Sequence, residues 1–97
     1  MADETTATYY VYRHIRLDTM QPFYIGKGKG RRPHDKSGRS VYWNGIVNKH
    51  GYRVDILLET RLEEEAYEKE KEFIRIYGMS KNGGLLCNFN EGGYGVK

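Results

Sequence analysis

Residues 61–77 carry the pattern that does most to narrow the fold. At about 100° per residue, Leu62, Ala66, Phe73, Ile74 and Tyr77 fall on one stripe, while Glu64, Glu65, Glu68, Lys71, Glu72 and Arg75 point away from it. That is the pattern of a helix packed on one side only. Thr60 and Glu63 stand at the spacing of a capping box before it, and Gly78 supplies the stop. In a chain of 97 residues the element that covers this stripe belongs to the same core, because two cores would each be too small to close.

A sheet is the expected cover. Tyr9, Tyr10, Val11 and Tyr12 are good strand formers, and Phe23, Tyr24 and Ile25 follow a turn-like stretch, so the two runs predict a hairpin. Val54, Ile56 and Leu58 alternate with Arg53, Asp55 and Leu57 and predict a third strand. Ser40 can cap a helix that runs to His50, on which Trp43, Ile46 and Val47 recur at helical spacing; Gly45 weakens it and Gly51 stops it. Residues 1–8 are small and polar and predict a frayed terminus, leaving residues 9–97 as one α/β domain. Its tail, from Lys81, reads as a loop, a short apolar run and a cluster of Gly92, Gly93 and Gly95.

One carboxylate breaks the helical pattern. Glu70 lies eight residues after Leu62 and four after Ala66, inside the apolar stripe. Burying an unpaired carboxylate costs several kcal/mol, so Glu70 calls for a partner: a metal ion, an arginine, or the rim of a polar pocket. Few acids are available elsewhere, and none forms a paired motif, so any metal centre here is expected to hold one ion rather than two.

The charge is segregated. Residues 13–53 hold ten Lys and Arg against Asp18 and Asp35, whereas residues 54–78 hold eight Asp and Glu against four Lys and Arg. A surface carrying Lys27, Lys29, Arg31, Lys36, Arg39 and Lys49 is suited to a polyanion, and nucleic acid is the commonest one. Residues 26–32, Gly-Lys-Gly-Lys-Gly-Arg-Arg, match neither a Walker loop nor a dinucleotide fingerprint. They are expected to form a loop, either one that lets a phosphodiester approach the backbone closely or a plain turn. Of the nine tyrosines, Tyr10, Tyr12 and Tyr24 are concentrated, with Tyr9, on the strands beside it. Most strand aromatics are core, but a phenol becomes a proton acceptor if neighbouring cations lower its pKa from about 10, and Lys27, Arg31 and Arg32 are the candidates to do so.

The lone Cys87 sits in an apolar run and is expected to pack rather than react. It cannot form an internal disulfide, no charged leader with an apolar stretch opens the chain, and no apolar run approaches the roughly 20 residues that span a bilayer. A reducing, intracellular setting away from membranes is therefore expected, cytoplasmic or, in a eukaryote, nuclear.

Taken in order, Tyr10-Val11-Tyr12, Tyr24-Ile25-Gly26, the basic glycine run to Arg32, the inward Glu70, and Asn88 ahead of Gly92-Gly93-Tyr94-Gly95 resemble the GIY-YIG nuclease family. The resemblance spans residues 9–95 and departs from the family pattern at Tyr10, where glycine is usual, and at Pro33, which shortens or redirects the helix expected there. It implies a small three-stranded antiparallel sheet flanked by helices that hydrolyses DNA with one divalent cation, Mg²⁺ or Mn²⁺, and leaves 5′-phosphate and 3′-hydroxyl ends. Carried over to this chain, the site residues are Tyr12, Tyr24, Arg32, His34, Glu70 and Asn88. Glu70 is the metal ligand, Tyr12 the proton acceptor with His34 as a relay, Tyr24 a positioner of the nucleophile or a sharer of the base role, Arg32 the charge stabiliser with Arg31 competing for that role, and Asn88 orients substrate or pocket. Two further readings stand beside it: a catalytically inactive nucleic-acid-binding module on the same scaffold, and a protein-interaction domain with a basic face. A chain this small buries little DNA, so a homodimer or a tethered recognition domain is expected to supply specificity.

Overall fold

The structure, a computed structural model, describes residues 8–80 and 83–88. The expected frayed terminus, apart from Thr8, and the cluster of Gly92, Gly93 and Gly95 lie outside the described residues. The two aromatic runs form the predicted hairpin. Strand β1 (Tyr9–Arg16) pairs antiparallel with β2 (Pro22–Lys29), Tyr12 opposite Gly26 and His14 opposite Tyr24. Strand β3 (Tyr52–Thr60) pairs antiparallel with the other edge of β1, giving the order β2-β1-β3. With helices α1 (Val41–His50) and α2 (Glu63–Tyr77), this is the small α/β fold with a three-stranded antiparallel sheet that the sequence predicts.

β2 extends further than its aromatic run suggests. Residues 26–29, expected as a loop, continue the strand and pair with residues 9–12. Glycine is a poor strand former, but here its missing side chain is what permits the pairing. A Cβ on Gly26 would fall on the hydroxyl and ring of Tyr12, and one on Gly28 would fall on Cβ and Cγ of Arg32. The two glycines therefore make room for side chains that cross the strand.

Alternation along β1 and β2 gives the sheet two different faces. Val11 and Ile25 lie in one cluster with Ala66 and Ile74 of α2, Met79 and Leu86, bordered by Leu58, Phe73 and Tyr77. Tyr12, His14 and Tyr24 occupy the opposite face, their rings in contact with one another and with Trp43 of α1 through His14. Trp43 packs with Phe23 and Cys87 in a second cluster bordered by Tyr24, Ile46, Val47 and Tyr52.

The helix ends follow local chemistry with one shift. Ser40 accepts from the Trp43 backbone N–H at 3.1 Å, and Gly51 and Gly78, at φ 75° and 80°, close α1 and α2. At the start of α2, Thr60 pairs with Glu65 rather than Glu63: its hydroxyl accepts from Leu62 N–H at 3.0 Å and donates to Glu65. Glu63 turns instead to Lys27, 3.5 Å away. Leu62, expected on the buried stripe, precedes the first helical turn and is 66% exposed.

Edge strand β2 is finished by the C-terminal segment. Cys87 N–H donates to Phe23 O at 2.7 Å, Asn88 Oδ1 accepts from Ile25 N–H at 3.1 Å, and Asn88 Nδ2 donates to Ile25 O at 2.8 Å. One side-chain amide thus does the work of a neighbouring strand. No described helix is long and apolar enough to cross a membrane.

Two glycines on which the fold makes opposite demands give a direct check. Gly26→Ala should lower stability in urea unfolding by about 1–3 kcal/mol, as overpacking does. Gly45→Ala, inside α1 with open space around its Cα, should raise stability by up to about 1 kcal/mol.

Candidate active site

The face of the sheet opposite α2 gathers two phenols, an imidazole and a guanidinium. Tyr12 is 1% exposed, and its ring centre lies 5.0 Å from that of His14 and 6.4 Å from that of Tyr24. Over them stands Arg39. Its Nη1 donates to Tyr12 Oη at 3.3 Å, Nη2 donates to Arg32 O at 2.9 Å, and Nε donates to Asp35 O at 2.9 Å. The guanidinium carbon lies 5.2 Å from the ring centres of both Tyr24 and Trp43. A guanidinium has five N–H donors. Three are used here, and one on each terminal nitrogen has no protein acceptor among the described residues.

Position in the motif points to Arg32, but the side chain brought to the phenols is that of Arg39. Arg32 begins a single 3-10 turn (Arg32–His34), with Pro33 inside it, where the resemblance implied a helix carrying the arginine. Its guanidinium turns to Ser37 O at 3.0 Å and Asp35 Oδ2 at 3.6 Å. The contribution of Arg32 to the cluster is its backbone carbonyl, which anchors Arg39. His34 is exposed on the same turn, and its side chain makes no hydrogen bond among the described residues. Asn88 is held on the backbone of Ile25, next to Tyr24, so both ends of its amide are taken up by β2.

His14 was not singled out by the sequence, where it is one of three scattered histidines. It is fully buried, accepts the indole N–H of Trp43 at Nδ1 (2.9 Å), and contacts Pro33 O through Nε2 (2.7 Å). An indole nitrogen only donates, so Nδ1 is unprotonated and Nε2 carries the proton given to Pro33. Burial, chiefly, together with the positive charges of Arg39, His34 and Arg32, pushes its pKa down to about 4, against the pull of the Pro33 carbonyl.

Tyr24 is half-buried and its phenol is shifted upward, first by burial and then by neighbouring Tyr12; the charge of Glu70 adds to the shift, while Arg39 and Arg32 oppose it without prevailing. The expectation that cations would lower this phenol's pKa is therefore reversed. Lys27, one of those cations, is directed elsewhere. Its ammonium lies 4.2 Å from the ring centre of Tyr67 and pairs with Glu63, on the α2 side. Of the remaining basic residues assigned to nucleic acid, Arg39 is turned inward, whereas Lys29, Arg31, Lys36 and Lys49 are exposed. Cys87 is buried with its thiol pushed up to about 11 by desolvation, so it is no nucleophile at neutral pH.

Glu70 is half-buried on α2, and its charge acts on the phenols of both Tyr24 and Tyr67. Among the described residues no three His, Cys, Asp or Glu side chains converge as a metal cage. A donor set of one carboxylate fits Mg²⁺ or Mn²⁺, hard ions that keep several waters and take further oxygens from a phosphate substrate; it does not fit zinc. Comparisons of the chain with protein-family models, curated proteins and solved structures find no match.

The buried imidazole ties stability to pH. The unfolded chain takes up a proton near pH 6.5, and the native state only near pH 4. The stabilisation from neutral His14 is therefore complete above pH 6.5 and is lost as pH falls toward 4, by on the order of 3 kcal/mol in all. Urea midpoints measured across this window should fall with pH in the wild type, and the slope should flatten in His14→Gln.

Proposed function

We propose that this chain is a GIY-YIG-type endonuclease that hydrolyses DNA phosphodiester bonds with the help of one divalent cation, leaving 5′-phosphate and 3′-hydroxyl ends. The observation that carries the reading is the Arg39 guanidinium, fixed by two carbonyls and the Tyr12 hydroxyl and lying against Tyr24, with one N–H on each terminal nitrogen that meets no acceptor among the described residues. Such a fork suits the two non-bridging oxygens of a phosphodiester.

The phosphoryl group docks on Arg39, whose charge opposes the negative charge that builds on the phosphoryl oxygens as water attacks. Tyr24, kept protonated by burial, donates a hydrogen bond that holds the attacking water in line. Tyr12 takes that water's proton as its own phenolic proton passes out to solvent, so that the side chain ends the step as the neutral phenol it began as. The P–O3′ bond breaks and the 3′-oxygen is protonated from solvent. Glu70 would hold the divalent ion, which when bound supplies Lewis-acid polarisation of a phosphoryl oxygen. Exposed Lys29, Arg31, Lys36 and Lys49 offer contacts to flanking phosphates. A DNA substrate sets the protein in the cytoplasm, or in the nucleus of a eukaryote.

Supercoiled plasmid should be nicked in Mg²⁺ or Mn²⁺ and left intact in EDTA. Glu70→Gln should abolish nicking while gel-shift affinity for DNA stays within a few-fold. Arg39→Lys should lower kcat by about 10²- to 10³-fold, the cost of one lost transition-state donor, and by more than Arg32→Lys does. Wild-type protein that binds DNA but nicks it in neither metal would instead be the inactive binding module.

A further inference from the structure

Both ends of the segment that bears Arg39 are tied to one imidazole. On its N-terminal side the 3-10 turn is held to His14 through Pro33 O, 2.7 Å from Nε2. On its C-terminal side α1 is held to the same ring through the Trp43 indole, 2.9 Å from Nδ1. Between these two points Arg39 bonds back to carbonyls of the turn, Arg32 O and Asp35 O. The direction of the guanidinium therefore depends on where those carbonyls sit, and that depends on His14.

We propose that His14 is a clasp: a positioning residue which, as the neutral Nε2–H tautomer, fastens residues 32–43 across the sheet and so aims Arg39 at Tyr12 and Tyr24. The catalytic consequence rests on the phosphodiester reading; the clasp itself does not. The tautomer is dictated by its partners, since one only donates and the other only accepts. Protonation would put an N–H on Nδ1 facing the indole N–H, two donors with nothing between them, and would free the α1 end.

Among the described residues, no carboxylate is found to offset such a charge. The groups around the ring are Tyr12 from β1, Phe23 and Tyr24 from β2, Trp43 from α1 and Tyr52 from β3. The charges felt there, those of Arg39, Arg32 and His34, are or become positive.

Trp43 is the only tryptophan, so its indole N–H gives a single resonance that reads one end of the clasp, and the Arg39 Nε–H reads what the clasp holds. In ¹⁵N-labelled protein at pH 7 we expect the Nε2–H tautomer at His14 and a slowly exchanging Arg39 Nε–H. On acidification through about pH 4, the value to which the His14 pKa is pushed, the indole resonance should shift and Arg39 should lose its protection together, with far-UV circular dichroism unchanged. His14→Gln, whose amide can accept from Trp43 and donate to Pro33, should keep Arg39 protected throughout and kcat within tenfold. His14→Phe should lose the protection at every pH and lower kcat about 100-fold, as misplacement by about 1 Å does, with KM little changed.

Arg39 protected as in wild type within a folded His14→Phe protein, or the Nδ1–H tautomer at neutral pH, would overturn the clasp. Should that variant not fold, the acid titration of the wild type decides: loss of Arg39 protection without the indole shift counts against the proposal. Wild-type protein that fails to cut DNA while its Arg39 protection follows His14 leaves the clasp standing and removes the nuclease reading.

Discussion

The crossing of Tyr12 over Gly26 is the contact on which the arrangement of this protein turns. A tyrosine and a glycine are paired across β1 and β2, and the ring lies where any side chain at position 26 would have to be. That single absence of a Cβ lets a bulky phenol be 1% exposed on a small sheet, and it brings the hydroxyl within reach of Arg39. Gly28 does the same for the stem of Arg32 one pair further on. A glycine run that costs strand propensity is thereby retained in the strand, because tertiary contacts outweigh the local cost of about 0.5–1 kcal/mol per glycine.

Around this crossing the buried polar groups form a closed set. His14, Trp43 and Asn88 all lie in the interior, and no described buried side-chain nitrogen or oxygen lacks a hydrogen-bond partner. Each is fastened to backbone or to another ring: His14 to Pro33 and Trp43, Asn88 to Ile25. Burying such groups is tolerable only when their bonds are made, and once made they define one geometry rather than many. The cluster on this face is accordingly rigid in its connections, while α2 closes the other face with an ordinary apolar core.

Much of the fold was legible in local pattern. The aromatic runs marked the hairpin, alternation marked β3, Ser40 and Gly51 bounded α1, and Gly78 ended α2, because propensity, periodicity and caps act within a few residues of chain. The departures came where a distant partner decides. Thr60 meets Glu65 rather than Glu63 because the helix begins at Glu63, which puts Glu65 at its third position, while Glu63 itself pairs with Lys27 of β2. Leu62 fell off the stripe because the helix begins one residue after it. Pro33 was a warning that the segment after the glycine run would not be a long helix, and it is one 3-10 turn.

For the candidate site the division is sharper. The sequence alone determined that two tyrosines, a carboxylate inside an apolar stripe and a surplus of cations belong to one small α/β domain, since residue type and spacing are written in it. Which cation meets the phenols was decided only in three dimensions. Arg32 and Arg39 are seven residues apart and chemically identical, and what separates them is where three backbone carbonyls point after a proline turn. The same holds for His14, whose tautomer and burial are created by an indole and a carbonyl 29 and 19 residues away. Hydrogen bonds between groups so far apart in the chain depend on the whole packed structure, and no local pattern encodes their direction.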